Sequence, residues 1–194
     1  MFTGIIETVG KVKQIEPENS NVTFCIESEI SNQLKVDQSV SHDGVCLTVI
    51  KVTGNMHWVT AINETLEKSN LRSWKAGTLV NLERCMVANG RFDGHIVQGH
   101  VDQIGIIKSV TDERGSWMFE VEYNANLGNV TIEKGSVAVN GVSLTCFNSR
   151  EGSFTVAIIP YTFEHTGFGK LKTGDSVNLE FDVIGKYVKR LLKH

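Results

Sequence analysis

The chain has 194 residues, 41% of them hydrophobic and 21% charged, with a formal net charge of −3. That is the make-up of an ordinary globular protein. It carries neither the basic excess of a nucleic-acid binder nor an apolar run long enough to span a membrane. No basic-then-apolar leader precedes Phe2, so export is not indicated and a cytoplasmic location is expected. The four cysteines (Cys25, Cys46, Cys85 and Cys146) form no CxxC motif, and reduced thiols are the simplest reading.

Along the first half, short β-branched runs predict strands over Asn21–Ile26, Val45–Val52, His57–Ile62 and Thr78–Leu82. Gly, Asn, Asp and Ser separate them, and Asp43-Gly44 is a turn signal. The stretch NETLEKS suits one brief helix with Asn63 as its N-cap. Along the second half the same reading gives strands over Trp117–Tyr123, Val142–Phe147, Ser153–Ile159 and Ser176–Phe181. Asn140-Gly141 is the matching turn, and PYTFEHT is a matching helix opened by Pro160. Many short strands at this spacing predict a small closed antiparallel barrel in each half.

The two halves are copies. SVSHDGVCLTV (Ser39–Val49) returns as SVAVNGVSLTC (Ser136–Cys146), and Ala61–Glu83 lies over Ile158–Glu180, all at an offset of 97 residues. FTGII (Phe2–Ile6) also echoes VQGHV (Val97–Val101). A period this long, present twice, signals a duplicated domain rather than a solenoid. Two similar halves imply two similar pockets. The tail breaks the repeat: Ile184, Tyr187, Val188, Leu191 and Leu192 fall at helical spacing, with Lys186, Lys189, Arg190 and Lys193 between them. A helix of about ten residues is marginal alone, so its apolar stripe must dock on its own barrel or on a neighbouring subunit.

Several residues suit chemistry. His95 and His100 lie five apart in GHIVQGH, flanked by Asp93 and Asp102. No further His or Cys stands at ligand spacing, so a metal site is not favoured. A ligand-contact or acid–base role suits an imidazole near neutral pH, against the plainer reading of a solvated loop. Cys46 and Ser143 occupy matched positions, each followed by Leu-Thr (Leu47-Thr48 and Leu144-Thr145). They line two diverged pockets, or Cys46 is a small core residue. No GxSxG, GxGxxG, P-loop or HExxH motif is present.

MFTGIIE, DGVCLTV, ETL with NL, VNLER, GHIVQGHVD, EKGSVAVNGVSLT and VNLEFDVIGKYV, in that order along nearly the whole chain, resemble the riboflavin synthases (alpha chain) of the lumazine-binding-domain family. The resemblance implies an all-β fold of two tandem six-stranded antiparallel Greek-key barrels with a short C-terminal α-helix. It divides the chain into an N-terminal barrel (1–96), a C-terminal barrel (97–183) and a trimerisation helix (184–194). It implies a transferase that moves a four-carbon unit between two molecules of 6,7-dimethyl-8-ribityllumazine, giving riboflavin and 5-amino-6-ribitylamino-uracil. A homotrimer without cofactor, metal, nucleic acid or membrane is expected. Association with lumazine synthase is left open.

Carried over by position, the resemblance places Gly4, Ile5, Ile6, Cys46, Leu47, Thr48, Thr60, Ala61, Ile62, Asn63, Glu64 and Thr65 in the first pocket. It places Gly99, His100, Val101, Lys134, Ser143, Leu144, Thr145, Ala157, Ile158, Ile159, Pro160, Tyr161 and Thr162 in the second. Phe2, Cys46, His95, His100, Ser143 and Asp182 match positions tied to catalysis. One lumazine loses a proton from its C7 methyl and the other is activated at C7 by a nucleophile. The resemblance leaves open which residue does which. Three positions depart from the family pattern: Arg72, Tyr161 and the run Gly167-Phe168-Gly169. The rival is a non-catalytic lumazine- or flavin-binding protein of the same fold, which is expected to lose groups from one site.

Overall fold

In the segment Met56–Ala61, His57, Val59 and Ala61 are buried while Met56, Trp58 and Thr60 are partly exposed, the two-residue period of a strand with one face on a core. The computed structural model, which describes residues 1–192, builds twelve such strands. The first six are β1 (Thr8–Glu18), β2 (Asn21–Glu27), β3 (Ser39–His42), β4 (Val45–Thr53), β5 (Met56–Ala61) and β6 (Leu79–Arg84), with helix α1 (Asn63–Lys68) before β6. They close in the order β1-β2-β5-β4-β3-β6. The next six are β7 (Gln103–Asp112), β8 (Trp117–Glu122), β9 (Ser136–Val139), β10 (Val142–Arg150), β11 (Ser153–Ile158) and β12 (Ser176–Phe181), with α2 (Pro160–His165) before β12. They close as β7-β8-β11-β10-β9-β12, the same order six strands on. All pairings are antiparallel, and closure leaves no open edge.

The strands read from composition were four per half. The others, β1, β7, β3 and β9, escaped for physical reasons. β1 faces outward with Lys, Gln and Glu, and β3 and β9 are only four residues long. Each barrel has its own core. Phe24, Ile26, Val40, Val59 and Leu82 fill the first, with Trp74 edge-on to Phe24 at 5.1 Å. Phe119, Phe154, Ile158, Leu179 and Phe181 fill the second, with Phe168 edge-on to Phe119 at 5.1 Å. Phe168 of the unusual Gly-Phe-Gly run is therefore a core plug.

Pro160 opens α2 at its first turn, as expected. Asn63 is not the N-cap of α1. Ile62 leaves β5 in an extended conformation and takes that place, so Asn63 is the first helical residue. Its side chain donates to Glu67 and accepts from Arg72, each at 2.7 Å, which makes Arg72 a surface tie to α1.

The barrels meet about an approximate two-fold axis. Asp43-Gly44 and Asn140-Gly141 have positive φ at both positions, the type I′ geometry favoured in two-residue hairpins. These turns stand back to back. A Cβ on Gly141 would lie 2.7 Å from the Gly44 nitrogen, and one on Gly44 2.8 Å from the Gly141 nitrogen. Around them the buried Asn81 and Asn178 play equivalent parts. Asn81 donates to the Asn140 carbonyl and Asn178 to the Asp43 carbonyl, both at 2.9 Å. Gly141→Ala combines a disallowed φ with a backbone clash at this seam. It is expected to lower stability by about 1–3 kcal/mol, and an unchanged melting temperature would contradict that.

Helix α3 (Val183–Leu191) follows β12, with Asp182 as its N-cap. It is tied to its own barrel by polar contacts: Lys186 to Asp102 at 2.7 Å, and Lys189 to the Gly128 carbonyl. Ile184, Tyr187, Val188, Leu191 and Leu192 are 50–79% exposed. The stripe therefore does not dock on its own barrel. Lys193 lies outside the described residues.

Candidate functional site

Two extended straps, 2–6 and 97–101, cross between the barrels. They pair through Phe2 and Val97, whose backbones exchange two hydrogen bonds of 2.8 and 3.1 Å. Beyond that bridge each strap runs to the opposite barrel. The Gly4 carbonyl accepts from the Ser143 amide on β10, and the Gly99 carbonyl accepts from the Cys46 amide on β4, both at 2.8 Å. Glycine is required at both places. Each has φ near +80°, and a Cβ would lie 2.6 Å from the Cβ of Ser143 or Cys46.

This corrects the grouping expected from the sequence. Gly4 and Ile6 belong with the Ser143 pocket, and Gly99, His100 and Val101 belong with the Cys46 pocket. Ile6 packs on the second core and Val101 on the first. The repeat aligns each strap with its own half, but the chain enters each barrel by way of the other.

The Cys46 pocket has a volume of about 440 Å³. Cys46, Glu64, Thr65, Lys68, Gly99 and His100 are among its lining. His100 projects here and not toward Ser143. Burial pushes the Cys46 thiol above its usual pKa, with a smaller opposing effect from a hydrogen bond to Ser39. It stands as a neutral thiol rather than a thiolate nucleophile. Cys46→Ser should therefore keep turnover within about tenfold, equivalent to roughly 1.4 kcal/mol. A steady-state assay showing complete loss would restore the thiolate.

The Ser143 pocket, about 490 Å³, is lined by Lys134, Ser143, Leu144, Thr145, Phe147 and Thr162, with Ala157 and Ile159 at its edge. His95 Nδ1 lies 2.6 Å from Ser143 Oγ, and the His95 amide donates to the Thr3 carbonyl. Burial lowers the His95 pKa, opposed by the nearby Asp182 carboxylate, so the ring is neutral near pH 7. Its Nε2 is buried without a hydrogen-bond partner among the described residues. A neutral imidazole on a hydroxyl is a competent proton-transfer pair. Among the described residues the Cys46 side chain bonds Ser39 and no imidazole, so the two sites are chemically unequal.

Other expected site residues fall elsewhere. Phe2 is fully buried in a small cluster with Val97 and Ala138 where the straps pair, and lines neither pocket. Leu47, Ala61 and Ile158 point into the barrel cores by strand alternation, leaving only backbone groups for a ligand. Thr60 bonds Thr23 at 2.8 Å. Thr48 is exposed opposite Ser39. Ile5 opens onto a separate cavity with Glu7 and Arg84. Ile62, Asn63 and Pro160 are exposed at helix starts. Tyr161 lines neither of these two pockets: it is 68% exposed and stacks on His165 at 4.1 Å. Asp182 caps α3, its carboxylate accepting from the Ile184 amide at 2.9 Å. Lys68 and Phe147 line pockets but carry no sequence signal, since at the 97-residue offset the other half has His165 and Ile50 in their places. No metal-ligating cluster occurs among the described residues.

Comparison with known proteins agrees with this geometry. The model of the "Lumazine binding domain" family matches residues 3–85 and again 98–182. The riboflavin synthase of Actinobacillus pleuropneumoniae is 40% identical over 193 residues, covering 99% of this chain and 90% of that protein. That of Bacillus subtilis is 37% identical with the same coverage. Among solved structures, LumP complexed with riboflavin superposes with a TM-score of 0.86 at 20% identity, over 93% of this chain and 99% of that one. LumP complexed with 6,7-dimethyl-8-(1'-D-ribityl) lumazine gives 0.84 at 19%, over 93% and 98%; at such identity the likeness is one of fold. With the family model found once on each barrel and near-full-length identity to riboflavin synthases, the chain belongs to the lumazine-binding-domain family.

Proposed function

We propose that this chain is a riboflavin synthase, moving a four-carbon unit between two molecules of 6,7-dimethyl-8-ribityllumazine to give riboflavin and 5-amino-6-ribitylamino-uracil. The observation that carries the reading is a pair of related but unequal pockets, one built on Cys46 and one on Ser143 with His95. A reaction between two copies of one substrate needs two similar seats. It also needs the copies to play different parts, which identical seats would not enforce.

Within this reading the neutral His95, working through Ser143, moves a proton at the lumazine seated beside β10. His100, Lys68 and the neutral Cys46 thiol orient the lumazine in the first pocket. Backbone groups of the straps hold the rings. Much of the rate gain comes from orientation, since two held rings react as an intramolecular pair. The active assembly is a homotrimer in which pockets of neighbouring subunits face each other, and its place is the cytoplasm. None of the described helices is long and apolar enough to cross a membrane.

Purified protein incubated with 6,7-dimethyl-8-ribityllumazine and no other additive should form riboflavin and 5-amino-6-ribitylamino-uracil in equal amounts. Tight binding of lumazine without conversion would identify the non-catalytic binding protein instead.

A further inference from the structure

Glu83 on β6 and Glu180 on β12 are repeat equivalents, 4% and 3% exposed, and neither lines the Cys46 or the Ser143 pocket. Such burial of a carboxylate requires compensating donors. Both find them in the straps. Glu180 accepts from the backbone amides of Gln98, Gly99 and His100 at 2.7, 2.9 and 2.9 Å. Glu83 accepts from the amides of Thr3 and Gly4 at 2.7 and 3.0 Å, and from the Thr3 hydroxyl at 3.0 Å. The positive φ of Gly4 and Gly99 helps these successive N–H groups converge into an anion-holding nest.

The crossing of the straps gives this arrangement a consequence. Glu180 belongs to the second barrel, yet the strap it grips carries His100 and Gly99 into the Cys46 pocket of the first. Glu83 belongs to the first barrel, yet its strap meets Ser143 in the second. We infer that Glu83 and Glu180 are positioning residues that each build the ligand site of the opposite barrel, so that neither pocket is complete without a buried carboxylate from its neighbour. This deepens the riboflavin synthase reading and rests on it for the identity of the ligand.

Replacing a carboxylate by the isosteric amide keeps the volume but turns an NH2 group toward backbone donors. Glu180→Gln should loosen strap 97–101, and Glu83→Gln strap 2–6. Two readouts test this on the full-length protein. In hydrogen–deuterium exchange, Glu180→Gln should speed exchange of the 97–101 amides and of Cys46, and leave Ser143 protected; Glu83→Gln should do the reverse. In riboflavin titrations followed by the amide NMR signals of Cys46 and Ser143, each variant should weaken binding about tenfold at the opposite barrel only. Loss of a charge-assisted hydrogen bond is of that size, about 1.4 kcal/mol or more. KM should rise more than kcat falls.

A purely structural role predicts a lower melting temperature with both site affinities and the strap exchange pattern unchanged, and that result would overturn the inference. Weakening at the variant's own barrel would overturn it equally. If the amide variants do not fold, Glu180→Asp and Glu83→Asp keep the charge on a shorter arm and must show the same crossed pattern in weaker form. Wild-type protein that binds no riboflavin while the crossed exchange pattern holds would sink the functional reading and leave the strap positioning standing.

Discussion

Truncation after Asp182 is expected to give folded barrels that sediment as smaller species and lose activity by at least about a hundredfold, the scale on which misplacing two reactants acts. The helix removed contributes little to its own barrel, where its contacts are the Lys186–Asp102 pair and the Lys189 bond to Gly128. Its apolar face is instead turned to solvent, with Leu191 72% and Tyr187 69% exposed. Burying one such side chain is worth about 1.5–3 kcal/mol, so five in register supply the greater part of a subunit contact. Leu191→Asp with Val188→Asp should reproduce the dissociation while leaving the melting of the barrels nearly intact. Sedimentation velocity decides between the outcomes. A truncated chain that keeps the full assembly and full turnover would refute the role given to α3.

The second large effect concerns acid stability of the first barrel. His42 and His57 are both fully buried, with their Nε2 atoms 2.9 Å apart. The chain of partners sets every proton. His42 Nδ1–H donates to the Val40 carbonyl, so its Nε2 must accept from His57 Nε2–H. His57 Nδ1 then accepts from the Ser31 hydroxyl, which in turn accepts from Ser28. A proton added at His57 Nδ1 would have to reverse the Ser31 and Ser28 hydroxyls and leave a charge in the core. Burial lowers His57 from 6.5 to about 4, and burial with the facing ring puts His42 well below its usual value.

The sign follows from linkage. Below pH 6.5 the unfolded chain takes up protons that the folded chain refuses, so this contribution is intact above 6.5 and is lost as pH falls toward 4. For His57 alone the loss is about 3 kcal/mol. At the matched positions the second barrel carries Val139 and Phe154, fully buried. His42→Val with His57→Phe should therefore remove the acid sensitivity. Asp43, which burial raises to about 7, and Glu83 and Glu180, also raised by burial, titrate in the opposite sense. They are common to both proteins and cancel in the difference. Denaturant titrations at pH 7 and pH 4.5 should show the variant gaining on wild type by at least about 2–3 kcal/mol, the share of His57 alone. A difference that does not change with pH would rule out this account.

Much of the architecture lay open in the chain itself. The 97-residue offset, the hairpin turns at Asp43-Gly44 and Asn140-Gly141, the start of α2 at Pro160 and the helical stripe after Asp182 are local or repetitive signals. Local signals survive translation into structure because backbone preference and side-chain period act within a few residues. The repeat by itself makes Cys46 and Ser143 a matched pair.

The partnership of each strap was decided only in three dimensions. Alignment of FTGII with VQGHV shows that the two segments are alike, but likeness carries no address. The fold supplies it: Gly4 packs against Ser143 and Gly99 against Cys46, each so closely that a Cβ would lie 2.6 Å from the facing Cβ. The same holds for Glu83 and Glu180. In sequence they end two VNLE motifs, indistinguishable from carboxylates on the solvent face of a β-strand. Folding buries them and brings backbone amides from about 80 residues away onto each carboxylate. Tyr161 moved the other way, from pocket wall to surface, because its ring found a partner one helical turn on in His165. Sequence determined which groups exist, in what order and on which face of each strand. Tertiary structure alone decided which of them share a pocket, because that depends on close approach and burial between segments that the linear chain holds far apart.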